Sequence, residues 1–197
     1  MTGTSGDGAP NDVAPTDGGL DRPRYTNPAG IGFVELLRED FRAHESDWFS
    51  PGFRAIAVNR FGNWRMGVSN RLLRVPLSVL YRFMFRRVRA KYGIEIGYDV
   101  QLGRRVRIHH QSGIVVNGSC VIGDDCLLRQ NVTIGVRTVA DLRAPRLGKG
   151  VDVGAGAVIL GPITIGDGAG VGANAVVLVD VPAGAIAVGV PARVITK

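Results

Sequence analysis

Histidine is the side chain best suited to take up or release a proton near neutral pH, and the chain contains three, His44, His109 and His110. His109 and His110 are adjacent and directly follow Ile108, one of a series of regularly spaced aliphatic residues. His44 falls in a predicted surface helix, where we expect it to be inert. The adjacent pair is therefore the predicted centre of acid–base chemistry, and the surrounding sequence must explain how it is positioned.

The two cysteines, Cys120 and Cys126, do not offer an alternative chemistry. Both fall on positions predicted to face inward on neighbouring sides of the fold, which argues against a disulfide. We interpret them as small buried side chains. No Cys/His spacing typical of a metal site occurs in the sequence, so no metal is expected.

An aliphatic residue recurs at every sixth position over most of the C-terminal half of the chain, in three blocks that are separated by a shift of two residues after Ile114 and a longer interruption after Ile134. The positions are Ile96, Leu102, Ile108, Ile114, Val116, Ile122, Leu128, Ile134, Leu147, Val153, Ile159, Ile165, Val171 and Val177. This period is neither that of a helix nor that of a plain strand. It predicts a coil in which each hexad forms one short strand and one turn, with three hexads closing a triangular turn of the coil.

In such a coil each aliphatic side chain points inward and stacks on its equivalent in the next coil. The glycine that often follows it is expected to supply the unusual backbone conformation of the turn. The rhythm breaks after Ile134, so residues 136–146 are predicted to project as a loop, where binding residues are often found. The β-helix is assigned to residues 93–182, and residues 183–197 are predicted to cap its last coil.

The N-terminal part of the chain has a different composition. Residues 1–28 are rich in Gly, Asp, Pro and Thr, and we expect a disordered tail. Residues 29–92 are predicted to form a small helical domain, because apolar residues recur there at helical spacing. Ser50 and Pro51 fit the start of its second helix, and Gly93 the end of its third.

The net charge of +7 is concentrated in this helical domain. A solvated basic surface is the favoured explanation, with attraction to acidic lipid or an anionic polymer as the alternative. Residues 72–91 would suit a membrane surface as a basic amphipathic helix, but packing in the core or in a trimer is preferred because apolar residues occur on more than one face. Nucleic-acid binding and membrane contact are not expected. The sequence shows neither a signal peptide nor an apolar stretch of membrane-spanning length, which indicates a cytoplasmic setting.

Four segments carry a resemblance to a known family: HHQSGIVVNG (109–118), LLRQNVTIG (127–135), the stretch 150–178, and AVGVPARVI (187–195). They resemble the hexapeptide-repeat acyltransferases, and within them the serine acetyltransferases, above all the short type associated with exopolysaccharide genes. The resemblance implies a mainly β fold, a left-handed parallel β-helix behind a small helical domain. It also implies a homotrimer.

The same resemblance assigns roles to individual residues. It places the catalytic histidine on His110 and its carboxylate partner on Glu95, with Asp99 as a second choice. The implied reaction is direct attack of an acceptor hydroxyl on the thioester of acetyl-CoA, with His110 as general base and no covalent enzyme intermediate. The coenzyme is expected beside the later coils, between subunits.

The residues expected to bind acetyl-CoA are of two kinds. Small residues would let the pantetheine arm approach the backbone, and cations would meet the phosphates. The small residues are Gly154, Ala155, Gly172 and Ala173; the cations are Lys149, Arg193 and Lys197. Tight turns and solvated charges explain the same residues equally well.

The sequence does not determine which acceptor receives the acetyl group. The family's serine-binding residues correspond to His109, Arg143 and Asp47, but His109 replaces an Asp, and Ala144 replaces a His that normally follows the arginine. L-serine is the first hypothesis, and a sugar hydroxyl in exopolysaccharide biosynthesis is the alternative. A third hypothesis is a non-enzymatic repeat scaffold, with a metal bound by His109 and His110 across a trimer as one version of it.

Overall fold

The structure is a computed structural model that describes residues 27–196. The predicted disordered tail therefore lies, apart from its last two residues, outside the described residues, as does Lys197. Three helices come first: α1 (Phe33–Ala43), α2 (Pro51–Trp64) and α3 (Arg71–Tyr92), with a short 3-10 helix (Arg65–Gly67) after α2. None of the helices in the described part of the chain is long and apolar enough to cross a membrane.

The helix ends follow the residues that the sequence offers as caps. The hydroxyl of Ser50 accepts a hydrogen bond from the amide of Phe53 at 3.4 Å, and Pro51 occupies the first turn of α2. The side chain of Asn70 accepts a hydrogen bond from Leu72 at the start of α3. Gly93 ends α3 in a left-handed conformation at φ 64°.

The remaining chain forms a parallel β-solenoid of about five turns with three sheets, which confirms the predicted fold class. Sheet A contains β1 (Ile94–Ile96), β4 (Ile114–Val116), β7 (Thr133–Gly135), β10 (Val158–Leu160) and β13 (Val176–Val177). Sheet B contains β2 (Gln101–Leu102), β5 (Val121–Ile122), β8 (Arg146–Leu147) and β11 (Thr164–Ile165). Sheet C contains β3 (Arg107–Ile108), β6 (Leu127–Leu128), β9 (Asp152–Val153), β12 (Gly170–Val171), β14 (Ile186–Val188) and β15 (Arg193–Ile195).

The hexad aliphatics fill the interior of the prism. All of the positions named above are buried, with at most 4% of their surface exposed. Small or apolar residues such as Val100, Cys120 and Ala157 are buried beside them. Each fully buried aliphatic side chain contributes roughly 1.5–3 kcal/mol, so the columns supply most of the stability of the coil.

The glycines that follow the aliphatics have a different role from the predicted one. The left-handed turn residues come two positions later, at Arg105, Ser119, Asp125, Asn131, Gly150, Gly156, Gly168, Asn174 and Gly184. The repeat glycines are needed instead because the coils stack closely. A Cβ on Gly154, for example, would lie 2.6 Å from the amide nitrogen of Ala173 in the next coil. Close approach of backbones, not backbone conformation, therefore selects glycine there.

Buried polar side chains on α2 join the helices to the first coil. Arg60 pairs with Asp40 of α1 at 2.9 Å, and both side chains are fully buried. The same guanidinium donates to the carbonyl oxygens of Leu102 at 2.7 Å and Gly103 at 2.5 Å. Asn59 donates to the carbonyl oxygen of Gly97 at 2.6 Å. The helical unit is thus fixed to the coil by side-chain donors that bind backbone carbonyl groups of the first coil.

At the other end, β14 extends sheet C and β15 folds back on it antiparallel. These two strands lie within the segment predicted to cap the coil. The predicted projecting loop lies between β7 and β8, where its exposed residues include Val139 and Leu142.

Candidate active site

One edge of the prism carries the histidine pair. We call it the histidine edge; it consists of the corners 109–113, 129–132, 154–157 and 172–175, each joining a strand of sheet C to a strand of sheet A. Backbone hydrogen bonds connect neighbouring corners: Asn131 to Ser112 at 2.9 Å, Gly156 to Gln130 at 2.9 Å, and Asn174 to Ala155 at 2.8 Å. The four corners therefore form a continuous ladder along the axis of the coil.

The corner 109–113 differs from the others on this edge. Ile94 pairs with Ile114, whereas Val115 pairs with Thr133, so the first coil is two residues longer than the second. The extra length lies in this corner, where His110 (φ 65°), Ser112 (φ 91°) and Gly113 (φ 66°) all have left-handed conformations. Non-glycine residues at such angles are uncommon and concentrate at functional sites.

The surrounding structure holds this corner from both sides. The amide of His109 donates to the carbonyl oxygen of Leu128 at 2.9 Å, and that of Ser112 to the carbonyl oxygen of Tyr92 at 2.9 Å. The side chains of His109 and His110 are exposed. A fixed backbone thus presents two imidazoles on the outside of the prism. An acceptor hydroxyl group can reach a base in this position.

His44 is not the surface residue that the sequence predicted; the structure buries it, with 6% of its surface exposed. Its Nδ1 lies 2.8 Å from the carbonyl oxygen of Asp40, and its Nε2 lies 3.2 Å from the amide nitrogen of Ile108. A carbonyl can only accept and an amide N–H can only donate, so the proton is on Nδ1. Burial lowers the pKa of His44, which favours this neutral form. His44 therefore supports the strand that leads into the histidine corner.

Glu95 lies on the outer face of β1, between the buried Ile94 and Ile96. Its carboxylate is paired with Arg89 of α3 at 3.7 Å. Within residues 27–196 no hydrogen bond joins Glu95 to His110. Asp99 lies in the corner between β1 and β2, on a different edge of the prism from His110.

The residues expected to bind serine are dispersed. Arg143 lies in the projecting loop between sheets A and B, also on a different edge from His110, and makes two hydrogen bonds to Asp141 at 2.9 and 2.8 Å. These bonds lower the pKa of Asp141 to about 2. Asp47 is exposed in the turn after α1, where its carboxylate accepts a hydrogen bond from the amide of Phe49 at 2.7 Å. Within a single chain, Arg143 does not share an edge with the histidines.

The small residues expected at the coenzyme site do lie on the histidine edge. Gly154 and Ala155 form part of its third corner, and Gly172 and Ala173 part of its fourth. Gly172 contacts Val188 of β14, and Val188 pairs with Arg193 of β15. Arg193, one of the cations expected to bind the coenzyme, therefore lies at the far end of the same edge. Lys149 lies on the third edge, between sheets B and C, where its amide donates to Asp167 at 2.7 Å.

The cysteines are buried and free. Burial raises the pKa of Cys120 to about 12 and that of Cys126 to about 11. Both thiols therefore stay protonated near neutral pH and are not nucleophiles.

A prism of stacked hexads with an imidazole on one edge defines the class of hexapeptide-repeat acyltransferases, and the chain belongs to this family. No protein-family model matches the chain; the assignment comes from individual relatives. The chain is 44% identical over 132 residues to the putative colanic acid biosynthesis acetyltransferase WcaB of Escherichia coli (strain K12), which covers 66% of this chain and 80% of the relative.

Two serine acetyltransferases extend the comparison. That of Synechocystis sp. is 41% identical over 170 residues, which is 86% of this chain and 61% of the relative. The crystal structure of serine acetyltransferase from Brucella abortus strain S19 in complex with coenzyme A matches with a TM-score of 0.71 and 28% identity, over 84% of this chain and 68% of that one. The chain is thus an acetyltransferase, and the named relatives differ in the acceptor that their names imply.

Proposed function

We propose that this protein transfers the acetyl group of acetyl-CoA to a saccharide hydroxyl, with His110 as general base. One observation carries the proposal: an exposed imidazole, in a strained corner, lies on the same edge as the small-residue corners expected to border the coenzyme. Coils repeat about every 4.8 Å, so the first and fourth corners are roughly 14 Å apart. An extended pantetheine arm can follow such an edge.

The chemistry requires little from the protein besides a base and correct positioning. The acceptor hydroxyl gives its proton to His110 as its oxygen bonds to the thioester carbonyl carbon. When the tetrahedral intermediate collapses, the carbon–sulfur bond breaks and the imidazolium returns the proton to the CoA sulfur. Acetyl-CoA already has a good leaving group, so no covalent enzyme intermediate is needed.

Glu95 is proposed as the residue that orients and stabilises the imidazolium. Its ion pair with Arg89 is half-exposed and long, and such pairs contribute about 0–1 kcal/mol. The carboxylate is therefore free to turn away from Arg89 at little cost. A homotrimer would place a neighbouring coil beside the histidine edge and supply the second wall of the coenzyme groove.

A saccharide is preferred to serine because the ionic contacts for an amino acid are weakened. His109 stands where the resemblance requires a carboxylate for the amino group, and Ala144 where it requires a second partner for the acid group. Arg143 is already bonded to Asp141. The chain matches 80% of the length of the colanic acid biosynthesis relative, which also supports a saccharide acceptor.

Serine remains the second candidate on one observation. Arg143 and Asp141 form an exposed pair, and water screens such pairs strongly. A substrate carboxylate could therefore take the place of Asp141 on the guanidinium.

An acceptor screen tests the proposal. Thiol release from acetyl-CoA should accelerate with neutral oligosaccharides and not with L-serine, and the acetylated sugar should be recovered by mass spectrometry. Acceleration by serine alone would make this a serine acetyltransferase. Acceleration by neither, in a protein that binds acetyl-CoA, would require an acceptor outside both classes.

A further inference from the structure

Helix α3 has two apolar faces, of which the fold uses one. Tyr81, Val88 and Tyr92 are buried and belong to the core. The large apolar side chains of the opposite face are exposed, from 47% at Leu80 to 85% at Leu72. They belong to Leu72, Leu73, Val75, Val79, Leu80 and Phe83. Since they recur at spacings of three and four residues, they form one broad stripe along the first part of the helix.

The charges of α3 all have one sign. The helix contains no Asp or Glu, and its cations are Arg71, Arg74, Arg82, Arg86, Arg87, Arg89 and Lys91. In the part of the chain that the structure describes, Arg89 is the one member of this set with an acidic partner, Glu95. A wide apolar stripe flanked by unneutralised cations is the composition of helices that lie in the interface of an anionic bilayer.

The neighbouring surface has the same character. A groove of about 640 Å³ lies between α1 and α3. Val34, Phe41, Trp48 and Met84 are among its apolar lining residues, and Arg87 and Lys91 are among its cations; its lining contains no acidic residue. Trp48 is 65% exposed, and partly apolar aromatic rings of this kind favour the headgroup region of a membrane.

We propose that the outer face of α3 binds the surface of a membrane that contains anionic phospholipids. The apolar stripe would enter the acyl boundary, and the cations would meet lipid phosphates. A second copy of the chain suits this face less well. A contact between two α3 helices would bring together the cations that flank the two stripes, with no acidic residue on either helix to pair with them, and like charges at close range repel. Membrane contact was not expected from the sequence, since any apolar face was attributed to packing; the structure buries only the inner face.

Vesicle co-sedimentation of the full chain tests this assignment. The protein should sediment with vesicles of equal parts phosphatidylcholine and phosphatidylglycerol, should remain in solution with phosphatidylcholine alone, and should be released by salt. Each cation near an anionic surface strengthens binding roughly five-fold, so Arg86→Gln with Arg87→Gln should weaken it roughly 25-fold. Leu72→Ser with Phe83→Ser should weaken it at least ten-fold, since both side chains would leave the acyl boundary.

Matched controls use residues away from α3. Arg137→Gln with Arg146→Gln removes the same charge, and Val139→Ser removes an exposed apolar side chain of the projecting loop; both should bind vesicles like the natural chain. The α3 side chains chosen are exposed, so circular dichroism and melting temperature should not change. Three results would overturn the proposal: no binding to anionic vesicles, equal loss in the controls, or a lower oligomer mass for the Leu72/Phe83 variant in a protein that does not bind vesicles. The last result would make α3 a contact between copies.

Discussion

At the scale of single residues, the structure buries one of three histidines that the sequence predicted to lie on the surface. His44 is neutral and buried, and both ring nitrogens are engaged, one by Asp40 and one by Ile108. His110 is exposed in a left-handed conformation. The aliphatic period identifies His110 as outward-facing because Ile108 fixes the phase. It says nothing about His44, whose burial depends on how α1 packs on the coil.

The protonation of His44 should appear in the stability of the protein. Burial lowers its pKa in the folded state below its ordinary value of 6.5. Below about pH 6.5 the unfolded chain therefore binds more protons than the folded protein. The free energy of unfolding decreases as the pH falls from 6.5 through the folded pKa of His44 and levels off below it. The free energy of unfolding in urea should decrease by up to about 1.4 kcal/mol per pH unit in this window.

The His44→Gln variant is the control for this effect, since an amide can still accept from Ile108 and does not titrate. The neighbouring ionisable groups, Asp40 on α1 and Arg107 and His109 on the coil, are retained in it. Its pH dependence should be flatter than that of the natural chain. Identical slopes in the two proteins would show that His44 is not held neutral.

At the scale of elements, the corner 109–113 depends on Gly113. Its φ is 66°, and a Cβ there would overlap the side-chain oxygen of Asn131. Gly168 has the same conformation, φ 65°, but faces open space on another edge. Gly113→Ala and Gly168→Ala should each cost roughly 1–2 kcal/mol of stability. Only Gly113→Ala should also lower kcat, by at least about ten-fold, because it displaces the corner that carries His110. Equal kcat in both variants would show that the conformation of the corner 109–113 does not affect catalysis.

The junction of helices and coil is a second element whose strength can be measured. Asp40→Asn leaves Arg60 as an uncompensated buried charge and should cost roughly 3–5 kcal/mol in the free energy of unfolding. Asp125→Asn breaks an exposed pair with Arg105 and should cost less than about 1 kcal/mol. Similar losses in chemical denaturation would mean that Asp40 and Arg60 do not anchor the helices.

The sequence could predict the coil but not this junction. A hexad pattern is local, so its phase fixes which side chains enter the columns before any contact is known. The buried Asn59, Arg60 and Asn63 have no such signal, because polar residues on a helix normally indicate its solvent face. The same limit applies to the glycines, where spacing revealed the repeat but not that close stacking of coils is what requires them.

At the scale of the whole molecule, the homotrimer that the resemblance implies stays a prediction. His110 and Arg143 lie on different edges of one prism, so a site that uses both, as serine binding would, needs the projecting loop of a neighbouring chain. Sedimentation equilibrium should give three times the chain mass of 21.0 kDa. A mass of one chain at the concentrations used for activity would exclude a site shared between subunits.

The role of His110 is tested most directly by the rate of thiol release from acetyl-CoA with a saturating acceptor. Asparagine tolerates the left-handed conformation, so His110→Asn removes the base and leaves the corner intact, while Gln111→Asn is the matched change beside it. We predict that His110→Asn lowers kcat by about 10²–10⁴, with unchanged melting temperature and acetyl-CoA affinity, and that Gln111→Asn is fully active. A His110→Asn enzyme that turns over at the rate of the natural chain would contradict the account.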